Sequence, residues 1–128
     1  MISLSSYALM FIGTPYVWNG NTPEQGFDCS GLVNEVLMAH GHLPKKDRNA
    51  QGIYDDLFPN ALGSAIKKDT ILFFGKDVGS ITHIAIAISE ILMVEAGGEG
   101  QIASKEGFVR IRPISNRGDL VASLIIQE

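Results

Sequence analysis

The only cysteine of the chain, Cys29, lies in the stretch Gly26-Phe27-Asp28-Cys29-Ser30-Gly31-Leu32-Val33. Leu32, Val33, Val36 and Leu37 follow at helical spacing. An Asp just before such a run is a good N-cap, so the pattern predicts a helix that begins here, with Cys29 in its first turn. At that position the positive end of the helix dipole and unpaired backbone N–H groups stabilise a thiolate over a thiol. Cys29 is therefore a candidate nucleophile. The alternative is a small buried hydrophobe, the usual state of a free cysteine, and the local sequence does not separate the two.

A cysteine nucleophile needs a base to take the thiol proton and return it to the leaving amine. His83 is the candidate. It lies in Ile81–Ser89, where Ile84, Ile86 and Ile88 alternate with His83, Ala85 and Ala87 in the two-residue period of a strand. The His-bearing face carries only small neighbours, so the Cys29 helix is expected to dock on that face. The imidazole in turn needs an acceptor for its second ring nitrogen. Glu95 stands on the next predicted strand, Leu92–Ala96, and shares a facing with His83 if the hairpin register is even. Each residue also has an ordinary reading, His83 as a satisfied histidine at a sheet–helix boundary and Glu95 as a solvated strand-end carboxylate. A metal site built from Cys29, His83 and Glu95 ranks below the nucleophile reading, and no cofactor is expected.

Other elements must position these groups. Ser3–Phe11 reads as a short helix with Leu4, Tyr7, Ala8 and Phe11 on one face, stopped by Gly13 and Pro15. A turn-rich segment, Gly13 to Gly20, carries Tyr16 and Trp18. Both fit core aromatics, Trp18 especially, but a tyrosine beside a nucleophile also orients or donates a hydrogen bond. Trp18, Asp28 and Ser30 flank the cysteine and are candidates for substrate contact. The second helix runs from Asp28 to about His40, and His40 and His42 near its end take capping or surface roles. A third helix is expected over Asn49–Phe58, with Asp55 and Asp56 on a solvated face, then a connection without clear pattern over Ala61–Lys68. Strands follow over Thr70–Phe74, Ile81–Ser89, Leu92–Ala96, Phe108–Ile111 and Asp119–Ile126, with a loop at Gly97-Gly98-Glu99-Gly100. Helices first and strands second argue for an α+β fold with an antiparallel sheet packed on a helix.

At 128 residues the chain suits one domain, 1–128, with a real core. Its 45% hydrophobic and 19% charged residues are a globular composition. A net charge of −4 without a long basic run argues against nucleic acid or anionic lipid as partners. A single cysteine excludes an internal disulfide and a zinc site made of several cysteines. Met1–Ile12 lacks a basic n-region and is interrupted by Ser3, Ser5 and Ser6, so no signal peptide is read, and no stretch suits membrane insertion.

Three motifs in this order resemble the NlpC/P60 cysteine peptidases. Gly13-Thr14-Pro15-Tyr16-Val17-Trp18-Asn19-Gly20 is similar to that family's G-x-P-Y-x-W-G-G segment. Phe27 to Val33 is similar to its D-C-S-G-L motif, and Ile81-Thr82-His83-Ile84-Ala85-Ile86-Ala87 to its H-V-G-I strand. Arg48 and Gln51 resemble a weaker R-x-x-x-Q segment. The resemblance implies a papain-like α+β fold and a cysteine endopeptidase or amidase that cleaves peptidoglycan stem peptides. By it Cys29 is the nucleophile, His83 the base, and Tyr16 with the Cys29 N–H the oxyanion stabiliser. The family's third polar residue is most often a His, and Glu95 stands there instead. Asn19 replaces a Gly, a harmless change in a turn. A lone domain without a leader suits a phage tail or lysis component or a secreted effector, acting at the periplasm or cell wall beside other phage or secretion-system proteins. A cytoplasmic amidase would look the same. Two alternatives stay open: an inactive binding module of the same fold, and an amidase or acyltransferase on a small amide.

Overall fold

A computed structural model of the chain describes residues 2–97 and 107–126. Three helices precede most of the strands: α1 (Leu4–Leu9), α2 (Cys29–Ala39) and α3 (Ala50–Leu57). A two-residue ladder, β1 (Asn21–Thr22) with β2 (Gly26–Phe27), sits between α1 and α2. The remaining strands are β3 (Ala61–Gly63), β4 (Ile71–Gly75), β5 (Ile81–Ala87), β6 (Leu92–Gly97), β7 (Phe108–Pro113) and β8 (Leu120–Ile126). They form one antiparallel sheet in the order β3-β8-β4-β5-β6-β7.

Each helix starts where a side chain caps it. The Ser3 hydroxyl accepts from the Ser6 N–H at 3.2 Å, and Asn49 accepts from Gly52 N–H at 2.8 Å. The α1 expectation was too long by about one turn. Met10–Gly13 closes as turns, and Gly13 takes φ +90°, which glycine adopts freely. His40 is the C-cap of α2, as expected, with Nδ1 2.9 Å from the Val36 carbonyl and Nε2 2.8 Å from the Ile2 carbonyl.

The β5–β6 hairpin turns without Gly or Asn because Ser89 does their work. Its hydroxyl accepts from the N–H groups of Ile91 and Leu92 at 3.3 and 3.2 Å. Gly97 belongs to β6 rather than to a loop, and residues 98–100 of the expected loop lie outside the described residues. The Ala61–Lys68 connection contains β3, which pairs with the far end of the chain in β8.

The sheet buries side chains on both faces. Leu32, Val33, Val36 and Leu37 of α2 pack with Ile84, Ile86 and Val94, and Ile53 and Leu57 of α3 join the same cluster. Most of these are fully buried, and each such side chain contributes about 1.5–3 kcal/mol. On the opposite face Leu72, Phe74, Ala85, Ala87 and Met93 form a second cluster under Ile114. This corrects the docking expectation. The helix packs on the bulky isoleucine face, not on the small-residue face that carries His83. Large apolar surface gains more from burial than the alanine face does, and that gain decides the side.

Candidate active site

Three segments bring the cysteine, histidine and glutamate together. The Asp28 carboxylate accepts from the Gly31 N–H at 2.6 Å and the Ser30 hydroxyl at 3.0 Å. It is the N-cap of α2 and makes Cys29 the first helical residue. Gly31 is required by packing. A β-carbon there would run into the Gly20 carbonyl, which accepts from the Asp28 N–H at 3.0 Å. The Gly13–Gly20 turn thus presses directly onto the first turn of α2. Asn19 next to it takes φ +61°, a left-handed conformation that Asn tolerates. Gly31→Ala is expected to cost about 1–3 kcal/mol, the cost of overpacking, read as a lowered midpoint of thermal unfolding.

His83 and Glu95 share a sheet face because β5 and β6 pair with Ile86 opposite Val94 and Ala87 opposite Met93. Odd residues then face the same way on both strands. Nε2 of His83 lies 2.7 Å from Oε1 of Glu95, and both side chains are buried. The imidazole also borders the same cavity as the Cys29 side chain, near enough for that side chain to raise its pKa, and Nδ1 is the ring nitrogen not bonded to Glu95. The helix body lies on the opposite sheet face, so only its first turn reaches His83. The tip of a helix, not its flank, brings the sulfur to the ring.

The charges in this row reinforce one another. Burial works against a charged His83, but the neighbouring Cys29 side chain, the hydrogen bond to Glu95 and the negative charge of both outweigh it and raise the pKa to about 9. Burial also raises Glu95, yet His83 and Arg110 together hold its carboxyl below the usual range. Arg110 Nε donates to Oε2 of Glu95 at 3.2 Å, so the carboxylate is gripped from two sides. Tyr16 is buried and pushed up to about 12, first by burial and then by the negative charge of Cys29 and Asp28. It therefore stays a hydroxyl and can donate.

The sulfur opens on a cavity of about 490 Å³ lined by Tyr16, Trp18, Cys29, Ser30, His83 and Arg117 among others. Trp18 is 42% exposed, which corrects its reading as a core aromatic. The Gly13–Gly20 turn holds it on the rim of the cavity instead. Asp28 and Ser30 also border this space, but the carboxylate of Asp28 already serves the cap.

Arg48 and Gln51 act on architecture. The Arg48 side chain is almost wholly covered. It bonds Asp56 at 2.7 Å, the Asn34 amide oxygen at 3.1 Å and the Pro44 and Lys46 carbonyls at 2.9 and 3.1 Å, fastening the 44–48 loop to α2. Asp56 is exposed, as expected, but paired. Gln51 accepts from the Ile81 N–H at 2.8 Å and donates to the Val78 carbonyl at 2.9 Å, which ties α3 to the start of the His83 strand. Arg110 and Arg117 went unmarked in the sequence reading. The local signal for Arg110 is the alternation Arg110-Ile111-Arg112, which puts two like charges on one strand face, and Arg117 beyond the strand has no such pattern.

Comparison with known proteins agrees with this geometry. The model of the NlpC/P60 family matches residues 13–121. The chain is 34% identical over 95 residues to the bifunctional muramidase/DL-endopeptidase CwlT of Bacillus subtilis, covering 73% of this chain and 28% of that protein. It is 33% identical over 92 residues to the γ-D-glutamyl-L-lysine dipeptidyl-peptidase of Bacillus cereus, covering 68% and 26%. The chain thus spans about a quarter of the length of these relatives. A crystal structure of an NlpC/P60 family protein from Bacillus cereus superposes with a TM-score of 0.73 at 25% identity, covering 94% of this chain and 38% of that one. Motifs, sheet order and cleft converge on one conclusion: the chain belongs to the NlpC/P60 family.

Proposed function

We propose that this chain hydrolyses amide bonds of peptidoglycan stem peptides through an acyl-enzyme on Cys29. The observation that carries this reading is Cys29 and His83 together at the wall of an open cleft, with the His83 imidazole bonded behind it to Glu95. The Cys29 thiolate attacks the amide carbonyl carbon. A carbon–sulfur bond forms as the carbonyl π pair moves onto oxygen. The first N–H groups of a helix have no intrahelical acceptor, so the Cys29 N–H is free to receive that oxyanion, with the Tyr16 hydroxyl as second donor. On collapse the carbon–nitrogen bond breaks and His83 gives its proton to the leaving amine. Water then attacks the thioester while His83 takes its proton, and the carbon–sulfur bond breaks to release the carboxylic acid. Glu95 holds the imidazole in place and favours its charged form.

The substrate class rests on the relatives, one named as a DL-endopeptidase and the other as acting on γ-D-glutamyl-L-lysine. An amide made through the γ-carboxyl of glutamate leaves the α-carboxylate free, so the expected substrates are acidic peptides. Iodoacetamide tests the chemistry directly, because Cys29 is the sole thiol and labelling is unambiguous. Near neutral pH it should alkylate Cys29 faster than free cysteine, and amine release from muropeptides should fall in step with labelling. An inert thiol would favour a binding module of the same fold.

A further inference from the structure

Three of the four arginines of this acidic chain, Arg110, Arg112 and Arg117, line a single cavity of about 200 Å³ with His83, Glu95 and Gly97 among its other walls. It lies beside the cleft that holds Cys29, and His83 and Arg117 border both spaces. Each guanidinium is held in place. Arg110 is bonded to Glu95 and lies so close over Gly97 that a β-carbon there would strike it. Arg117 makes a two-pronged pair with Asp119 at 3.0 and 2.8 Å and sits 5.1 Å from the Phe74 ring centroid. Arg112 donates from Nε at 2.8 Å and Nη2 at 2.7 Å to the Asn116 amide oxygen, in the amide orientation that satisfies both groups.

These contacts leave positive charge uncompensated. Glu95 and Asp119 face three guanidinium groups, and among the described residues Arg112 has only the neutral amide as partner. Arg112 and Arg117 each keep Nη1 out of these bonds, and Arg110 keeps both terminal nitrogens. Fixed guanidinium forks with unused N–H groups match a carboxylate in shape and charge, better than mobile lysines would. Like charges this close repel, and an anion held between them would relieve that repulsion.

We propose that this cavity is a subsite for a free carboxylate of the peptide substrate, with Arg112 as its main charge and Arg117 joining it to the cleft. The proposal rests on the hydrolase reading for its substrate class. The free α-carboxylate of a γ-linked glutamyl residue is the fitting group, since it lies a short side chain's length from the amide to be cleaved. The subsite selects acidic over neutralised peptides without taking part in bond breaking.

Binding to the Cys29→Ala protein tests this without turnover. NMR titration with γ-D-glutamyl-L-lysine and with its α-carboxamide should show the acid binding about tenfold more tightly, the value of a charge-assisted hydrogen bond. Adding Arg112→Gln should remove that difference, and Arg112→Lys should restore part of it. Equal affinity for acid and amide in the parent protein overturns the proposal and needs no arginine variant. So does a preference that persists in an Arg112→Gln protein of unchanged melting temperature. Inorganic phosphate should displace the acid. Phosphate binding that depends on Arg112, with acid and amide bound alike, makes the cavity a free-anion site and also overturns it. Wild-type protein that cleaves no muropeptide fails the hydrolase reading alone, because these titrations read affinity only.

Discussion

Cys29→Ala should abolish release of peptide fragments from purified peptidoglycan while leaving the fold intact. In the proposed reaction the sulfur forms the bond that replaces the amide, and the chain has no other thiol to take its place. Removing a nucleophile of this kind costs about 10⁶-fold in turnover, and the remainder comes from binding and oxyanion donors. The fold should tolerate the change for local reasons. The cap of α2 runs from the Asp28 carboxylate to Gly31 and Ser30 and does not use the thiol. Cys29 is only partly buried, and alanine is a good helix former. Mass spectrometry of digests by wild type and variant, beside their thermal unfolding curves, gives the result. Fragment release persisting in a folded Cys29→Ala protein would sink the mechanism.

The parts of this site that were legible in the sequence are those set by local rules. Asp28 announces the helix start because capping acts over three residues. The shared facing of His83 and Glu95 follows from strand parity once the two strands form a hairpin. What failed depends on which surface meets which. Alternation along Ile81–Ser89 displays two faces but does not say which one the helix covers. Small residues suggested close approach, yet the isoleucines took the helix and His83 met only its tip. Trp18 went to the cleft rim because the close contact of Gly31 with Gly20 pins the turn that carries it. The edge strand β3 carries no signal of its own, since three residues show no period and their partner is β8. Arg110 was invisible for the same reason, since its contact with Glu95 exists only through the β6–β7 pairing.

Glu95→Gln should lower turnover about 10²-fold, at the lower end of what general acid–base catalysis contributes, and should move the alkaline limb of the pH–rate profile to lower pH. The leaving amine needs a protonated His83, so activity is lost as pH rises through the His83 pKa, raised from 6.5 to about 9. A glutamine still meets the ring at Nε2 but carries no charge. It removes one of the groups that outweigh burial, so the pKa falls and the limb follows. The same linkage acts on stability. A raised pKa means that the folded state holds the proton more tightly than the unfolded chain, so this stabilisation is complete below about pH 6.5 and disappears as pH rises through about 9. Melting temperature should therefore fall across that window in wild type, and less steeply in Glu95→Gln. The two readouts separate positioning from charge. A variant that loses rate while its alkaline limb stays put would assign Glu95 to orientation of the ring, and one with unchanged rate and limb would remove it from the mechanism. Arg110 supplies a third comparison, because it also grips the carboxylate. Arg110→Met frees Glu95 from a competing cation and strengthens its hold on the imidazolium, so the limb should move the opposite way, to higher pH.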